Sequence, residues 1–279
     1  MTAAAPVRVS APAKLTLSLQ VLGTRPDGFH DLVALTVMLS APSDTLTIGA
    51  AAPGVVELTV LGGDSDVPRG EQNLAVRAAR ALLPHDADAG VTIELNKVVP
   101  SGAGLGGGSA DAGAVFRLYD QRFGLPDDWR DRAARLGADV PACVASRTCI
   151  GRGTGAELEP GPQDLAGTSV LLVNPRVPLA TGPVFAGWDG VDHGPLPGGS
   201  AREIALAGRN DLQAPALALC PAIGDVLAAL RGTDAWFVRM SGSGATCFAL
   251  FNDPIARDTA NAALHAARPD WWRLVGCLR

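Results

Sequence analysis

Pro100-Ser101-Gly102-Ala103-Gly104-Leu105-Gly106-Gly107-Gly108-Ser109-Ala110-Asp111 is the stretch that decides how this chain is read. Five glycines fall within residues 102–108, and an apolar helical spacing follows at once in Ala112, Val115, Phe116, Tyr119 and Phe123. Glycine lets backbone N–H groups converge with no Cβ in the way. The first turn of a helix adds unpaired donors at the positive end of its dipole. Together they describe an anion cradle, most often one for phosphate. The competing reading is a flexible turn with Ser109 as helix N-cap. A linker would not pass so abruptly from dense glycine to an apolar stripe, which favours the cradle.

The loop is not of the Walker type, because no Gly-Lys-Ser/Thr ending brings a lysine to the β- and γ-phosphates. Gly102, Gly104 and Gly107 satisfy G-x-G-x-x-G. A dinucleotide fold, however, needs an acidic residue ending a second strand about 20 residues later. In this chain residues 123–129 read as one helix ending and another beginning. A second partial match at Gly151, Gly153 and Gly155 has no helix behind it and reads as a tight turn between strands.

Composition sets the frame. The chain has 279 residues, of which 47% are hydrophobic, enough for two modest cored domains or one large one. No charge-free run exceeds thirteen residues, too short for a membrane-spanning helix. The start, Met-Thr-Ala-Ala-Ala-Pro, lacks the basic and apolar regions of a secretory signal. Cys143, Cys149, Cys220, Cys247 and Cys277 form no C-x-x-C pair, which points to reduced thiols in a cytoplasmic protein without a zinc site. A net charge of −5 argues against a nucleic-acid partner, so an anionic substrate must be held by local cations and backbone donors.

Along the chain, strands are expected at 7–22, 44–50, 55–61 and 91–99, with helices at 73–83 and 127–136. In the first strand Leu15, Leu17, Leu19 and Val21 share one face, and Lys14, Thr16, Ser18 and Gln20 the other. Asn73 reads as the N-cap of its helix. Lys97 continues the apolar face of Val91, Ile93 and Leu95, an unusual place for a lysine. Between 157 and 168 the chain turns Pro/Gly-rich and aperiodic, which suggests a boundary. Beyond it come a strand at 169–174, a helical region over 181–230 broken by a loop at 187–199, strands at 235–240 and 245–251, a helix to 267 and a strand at 271–278. That order is the split βαβ of a ferredoxin-like sandwich.

Three separated pieces share one explanation: Ala11-Pro12-Ala13-Lys14, the glycine loop, and Met240-Ser241-Gly242-Ser243-Gly244-Ala245. In this order they resemble the three short motifs of the GHMP small-molecule kinases, over nearly the whole chain. Within that superfamily the chain is most similar to the kinases of 4-diphosphocytidyl-2-C-methyl-D-erythritol. The residues carrying this are 11–17, Arg25-Pro-Asp-Gly-Phe-His, Asn73-Leu-Ala-Val-Arg-Ala-Ala, the run from Gly104 to Ala112, Leu136-Gly-Ala-Asp-Val-Pro and Asn210-Asp-Leu. Thr16 stands where the family usually has asparagine, and Phe29 where it often has tyrosine.

The resemblance implies an α+β, two-domain fold. An N-terminal ribosomal-protein-S5-like βα domain would occupy 1–160, and the ferredoxin-like domain 161–279. It implies transfer of the ATP γ-phosphoryl group to the C2 hydroxyl of a cytidine diphosphate-linked methylerythritol, in non-mevalonate isoprenoid synthesis. ATP and Mg²⁺ are expected, with no nucleic acid and no membrane partner, in a monomer or weak homodimer. Lys14 and Asp139 would be catalytic. Residues 100–110 with Asn73 and Lys97 would bind ATP, Mg²⁺ would arrive with the nucleotide near Ser109, and Thr16, Phe29, His30 and Phe185 would hold the second substrate.

Each residue also has a plainer reading. Asp139 before Val-Pro suits a helix N-cap. Lys14 could be an exposed strand lysine, and Lys97 a buried stem with its amine snorkelling out. Asp111 first suits the helix dipole and only second a metal. Phe185 could be core, and Ser241 to Gly244 a simple strand connection. Two other functions stay in view: a related kinase acting on homoserine, mevalonate or a sugar, and a non-catalytic nucleotide sensor.

Overall fold

The computed structural model describes residues 6–63, 67–83, 90–100 and 102–279. The chain forms two compact units that interleave in sequence. The first comprises Met1–Ala13, Ser43–Ser101 and Gly106–Ser146, and the second Lys14–Pro42, Gly102–Leu105 and Arg147–Arg279. The composition change near 160 suggested a single cut. Two long strands, β1 (Val7–Thr24) and β2 (His30–Ala51), instead contribute residues to both units.

In the first unit β4 (Gly90–Lys97) pairs parallel with β3 (Val56–Gly62) and antiparallel with residues 45–51 of β2. The helices are α1 (Leu74–Leu82), α2 (Gly107–Phe123), α3 (Trp129–Leu136) and α4 (Val140–Ala145). Leu46, Ile93 and Leu95 meet Ala75, Ala78 and Leu82 of α1 and Ala112, Val115 and Phe116 of α2 in one core. Asn73 caps α1 as its sequence suggested, its side chain accepting from the Ala75 N–H at 2.9 Å. The stripe expected on α2 is broader than amphipathic, because residues 110–116 are all buried. Phe123, counted in that stripe, is 69% exposed at the helix's last turn.

In the second unit β7 (Ser169–Asn174), β8 (Phe237–Met240), β9 (Cys247–Phe251) and β10 (Trp272–Leu278) form an antiparallel sheet in the order β10-β7-β9-β8. With α9 (Pro254–Ala267) this is the split βαβ expected. The helical region resolves into α5 (Thr181–Ala186), α6 (Ala201–Ala207), α7 (Gln213–Leu219) and α8 (Ala222–Arg231). Residues 32–36 of β2 pair with β5 (Cys149–Gly153), which forms a hairpin with β6 (Glu157–Pro160), so the turn at Gly155 joins strands as read.

The polar face of β1 is not solvent-facing. Leu19 N–H donates to the Arg209 carbonyl, Asp211 N–H to the Leu19 carbonyl, and Val21 N–H to the Asp211 carboxylate. The segment 209–211 thereby lies along the strand, and residues 11–21 are buried on both faces. Lys14, in an exposed-strand reading a solvated residue, is 7% exposed.

Candidate active site

The glycine loop enters its helix without a side-chain cap. The N-cap of α2 is Gly106, whose φ of 63° lies in the left-handed region that favours glycine. Ser109 is the third residue of the helix and not its cap. Gly107, Gly108 and Ser109 therefore carry first-turn N–H groups with no intrahelical acceptor. Ser101 lies outside the described residues.

Within the second unit, Gly102 to Leu105 meet β1 and the Met240–Ala245 turn. Lys14 N–H donates to the Leu105 carbonyl at 3.0 Å, and the Ser241 hydroxyl donates to the Gly104 carbonyl at 3.3 Å. A Cβ on Gly104 would stand 2.7 Å from the Gly244 carbonyl oxygen, so only glycine permits this approach. Asn210 secures the turn, its Nδ2 donating to the Met240 and Gly242 carbonyls at 2.9 and 2.8 Å. The turn is therefore more than a strand connection. The Lys14 ammonium donates to the Thr16 hydroxyl at 3.4 Å, and a Cβ on Gly242 would lie 3.5 Å from it. Thr16 also donates its N–H to the Ser241 hydroxyl. Threonine in the asparagine position thus still offers Lys14 an oxygen.

Asp139 occupies the N-cap position of α4, with Pro141 in the first turn, but its side chain makes no capping hydrogen bond. The plainer cap reading fails on that geometry. Arg117 of α2 donates to the Cys143 carbonyl of α4 and to the Ser10 carbonyl at 2.6 Å. Helix α2 therefore carries the glycine loop at its start and holds the helix of Asp139 along its length.

Two expected nucleotide contacts are committed elsewhere. Asn73, besides capping, donates Nδ2 to the Pro68 carbonyl at 2.8 Å. Lys97 neither snorkels nor faces a groove: its ammonium donates to Asp44 at 2.5 Å and to Asp111 at 2.9 Å, all three side chains buried. Asp111 is thus an ion-pair partner rather than a simple dipole partner. Burial works against the Lys97 charge, but the two carboxylates outweigh it and hold the amine above its usual range. Burial pushes the Asp111 carboxyl well above the ordinary range, with Lys97 only partly opposing it. Asp44 carried no charge signal in the sequence beyond its place at a strand start.

Among the described residues no group of three His, Cys, Asp or Glu side chains could hold a metal ion. The half-buried Ser109 hydroxyl is the protein oxygen that the first turn of α2 offers.

A third cluster is aromatic. The turn Arg25–Phe29 is closed by Arg25 N–H to the Phe29 carbonyl at 2.7 Å and braced by ion pairs of Arg25 with Asp27 and Asp31. It leaves Phe29 61% exposed. His30 opens β2 with its ring 5.2 Å from Phe185 and 5.7 Å, edge-on, from Trp188. Trp188 was not singled out from sequence. It lies three residues after Phe185 in what read as irregular loop, and that spacing was the available signal. It also lines a cavity of about 350 Å³ with His193, Arg209 and Asp211.

Comparison with known proteins settles the family. Residues 73–147 match the GHMP kinases N terminal domain and residues 198–270 the GHMP kinases C terminal. A 4-diphosphocytidyl-2-C-methyl-D-erythritol kinase of Novosphingobium aromaticivorans is 56% identical over 98% of this chain and 93% of its own length. The kinase of that name from Erythrobacter litoralis is 51% identical over 97% and 98%. The chain belongs to the 4-diphosphocytidyl-2-C-methyl-D-erythritol kinase family of the GHMP kinases. A crystal structure of a 4-(cytidine 5'-diphospho)-2C-methyl-D-erythritol kinase superposes with a TM-score of 0.82 at 32% identity, covering 98% of this chain and 99% of that one. A homoserine kinase from Cytophaga hutchinsonii, at 18% identity and TM-score 0.64, shares the GHMP fold alone. The expected α+β architecture stands, and like other GHMP kinases this one uses ATP and a small-molecule acceptor.

Proposed function

We propose that this GHMP kinase moves the γ-phosphoryl group of ATP to the C2 hydroxyl of 4-diphosphocytidyl-2-C-methyl-D-erythritol, with Asp139 as general base and Lys14 as the charge-neutralising cation. Asp139 takes the hydroxyl proton as the oxygen bonds to Pγ. The bond from Pγ to the β-phosphate oxygen breaks, leaving ADP. The transition state is loose, so the protein contributes positioning and electrostatics above all. The first-turn N–H groups of α2 and the backbone of 100–110 hold the α- and β-phosphates. The Ser109 hydroxyl is the side chain that would stand beside a Mg²⁺ ion bound with ATP, and such an ion would supply further charge neutralisation at the phosphates. Lys14 offsets the charge that builds on the transferring group.

The single observation that carries the acceptor's identity is the aromatic cluster at His30. Phe29, Phe185 and Trp188 offer faces to a pyrimidine, and the His30 imidazole offers hydrogen bonds to its edge. Cytosine N3 accepts where uracil N3 donates, so an imidazole that donates to N3 rejects uracil. The protein works in the cytoplasm as a monomer or weak homodimer, without a nucleic-acid or membrane partner.

A coupled ATPase assay against the cytidine substrate, its uridine counterpart, homoserine, mevalonate and a hexose tests this reading. The cytidine substrate should dominate kcat/KM, over uridine by roughly the 10⁴-fold of hydrogen-bonding sites, and His30→Ala should erase most of that margin. Equal discrimination in both proteins rejects His30 as the base reader. Turnover with another alcohol instead rejects the acceptor.

A further inference from the structure

We propose that the buried Asp44–Lys97–Asp111 cluster positions the phosphate-holding loop from both ends, so that Lys97 acts on ATP only through the two carboxylates. The inference rests on the reading of residues 100–110 as the phosphate cradle. At the loop's entrance, Asp44 Oδ1 accepts the N–H groups of Val98 and Val99 at 2.6 and 2.8 Å, immediately before Pro100. At its exit, Asp111 sits in the second turn of α2 and takes Lys97 Nζ on Oδ2. Asp44 Oδ2 takes the same ammonium, so one cation joins the two ends. A Cβ on Gly107 would stand 3.2 Å from that ammonium, which places the charge against the first residue of the helix.

The cluster is an odd choice for stability alone. Two acids share one base with side chains no more than 3% exposed, and Asp111 Oδ1 has no hydrogen-bond partner. An apolar trio would fill the space without the desolvation cost. What the ions add is direction. Four short bonds fix where β4 ends and where α2 begins, and the donors between them must hold phosphate to within a fraction of an ångström.

Asp111→Ala tests this, because it leaves Lys97 balanced by Asp44 and releases only the exit. With full-length enzyme, KM for ATP should rise about tenfold, while kcat and KM for the phosphoryl acceptor stay within about twofold. Asp111→Asn keeps an oxygen facing Lys97 and should return KM for ATP to within about threefold of wild type. A folded Asp111→Ala with wild-type KM for ATP overturns the proposal. So does an unfolded Asp111→Ala beside an unaltered Asp111→Asn, the pattern of a purely structural pair. Gly106→Val, measured alongside, separates the layers. Unchanged ATP binding there removes the cradle and the proposal with it, whereas weakened binding there with none in Asp111→Ala rejects the cluster's part alone.

Discussion

Lys97 in the first unit and Lys14 in the second are both strand lysines, 5% and 7% exposed, with different surroundings. Lys97 meets two carboxylates and lies against the start of a helix, so its charge is committed inside the protein. Within its own unit Lys14 meets the Thr16 hydroxyl and the bare backbone at Gly242, beside a turn pinned by Asn210. The pair teaches that burial of a lysine beside a glycine loop does not by itself mean contact with phosphate.

Asp139→Asn sharpens the chemical side of that contrast and carries the largest expected effect. Loss of a general base lowers kcat by about 10²–10⁴-fold. A folded variant retaining more than about a tenth of wild-type kcat would return Asp139 to the role of helix start. Next comes Lys14→Met against Lys97→Met. The first should lower kcat by about 10²–10³-fold. The second leaves the two buried acids Asp44 and Asp111 without their cation, a loss of about 3–5 kcal/mol that should appear as a fall of roughly 10 °C in melting temperature. Similar kinetic and thermal profiles for the two would break the comparison.

The remaining effect is a pH dependence. The Asp111 carboxyl is pushed up from 3.8 to about 8 by burial, so the folded state holds a proton that the unfolded chain releases. Its contribution is therefore fully present at low pH and is lost as pH rises towards about 8. Between about pH 5 and about pH 8 the wild-type melting temperature should fall relative to that of Asp111→Asn. Parallel curves would mean that Asp111 is ionised throughout.

Much of this was legible in the residues. Glycine density at 102–108, the asparagine before α1 and the strand–helix order after 160 are local signals, and each produced the element expected. The unread part is what only three dimensions bring together. Asp44 and Lys97 are 53 residues apart, so the apolar face containing Lys97 hinted at burial but not at a partner. Trp188 joined His30 across 158 positions of chain from a segment without periodicity. The capping signal at Asp139 was locally sound, yet a cap needs its carboxylate turned to the helix N–H groups, and spacing does not report side-chain direction.

The most direct test follows the phosphorus. With ATP, Mg²⁺ and 4-diphosphocytidyl-2-C-methyl-D-erythritol, ³¹P NMR of the reaction should show one new phosphomonoester, coupled to the C2 position, growing in step with ADP. ADP and inorganic phosphate without that ester, or an ester on a different hydroxyl, would contradict the assignment of this chain as the C2 kinase.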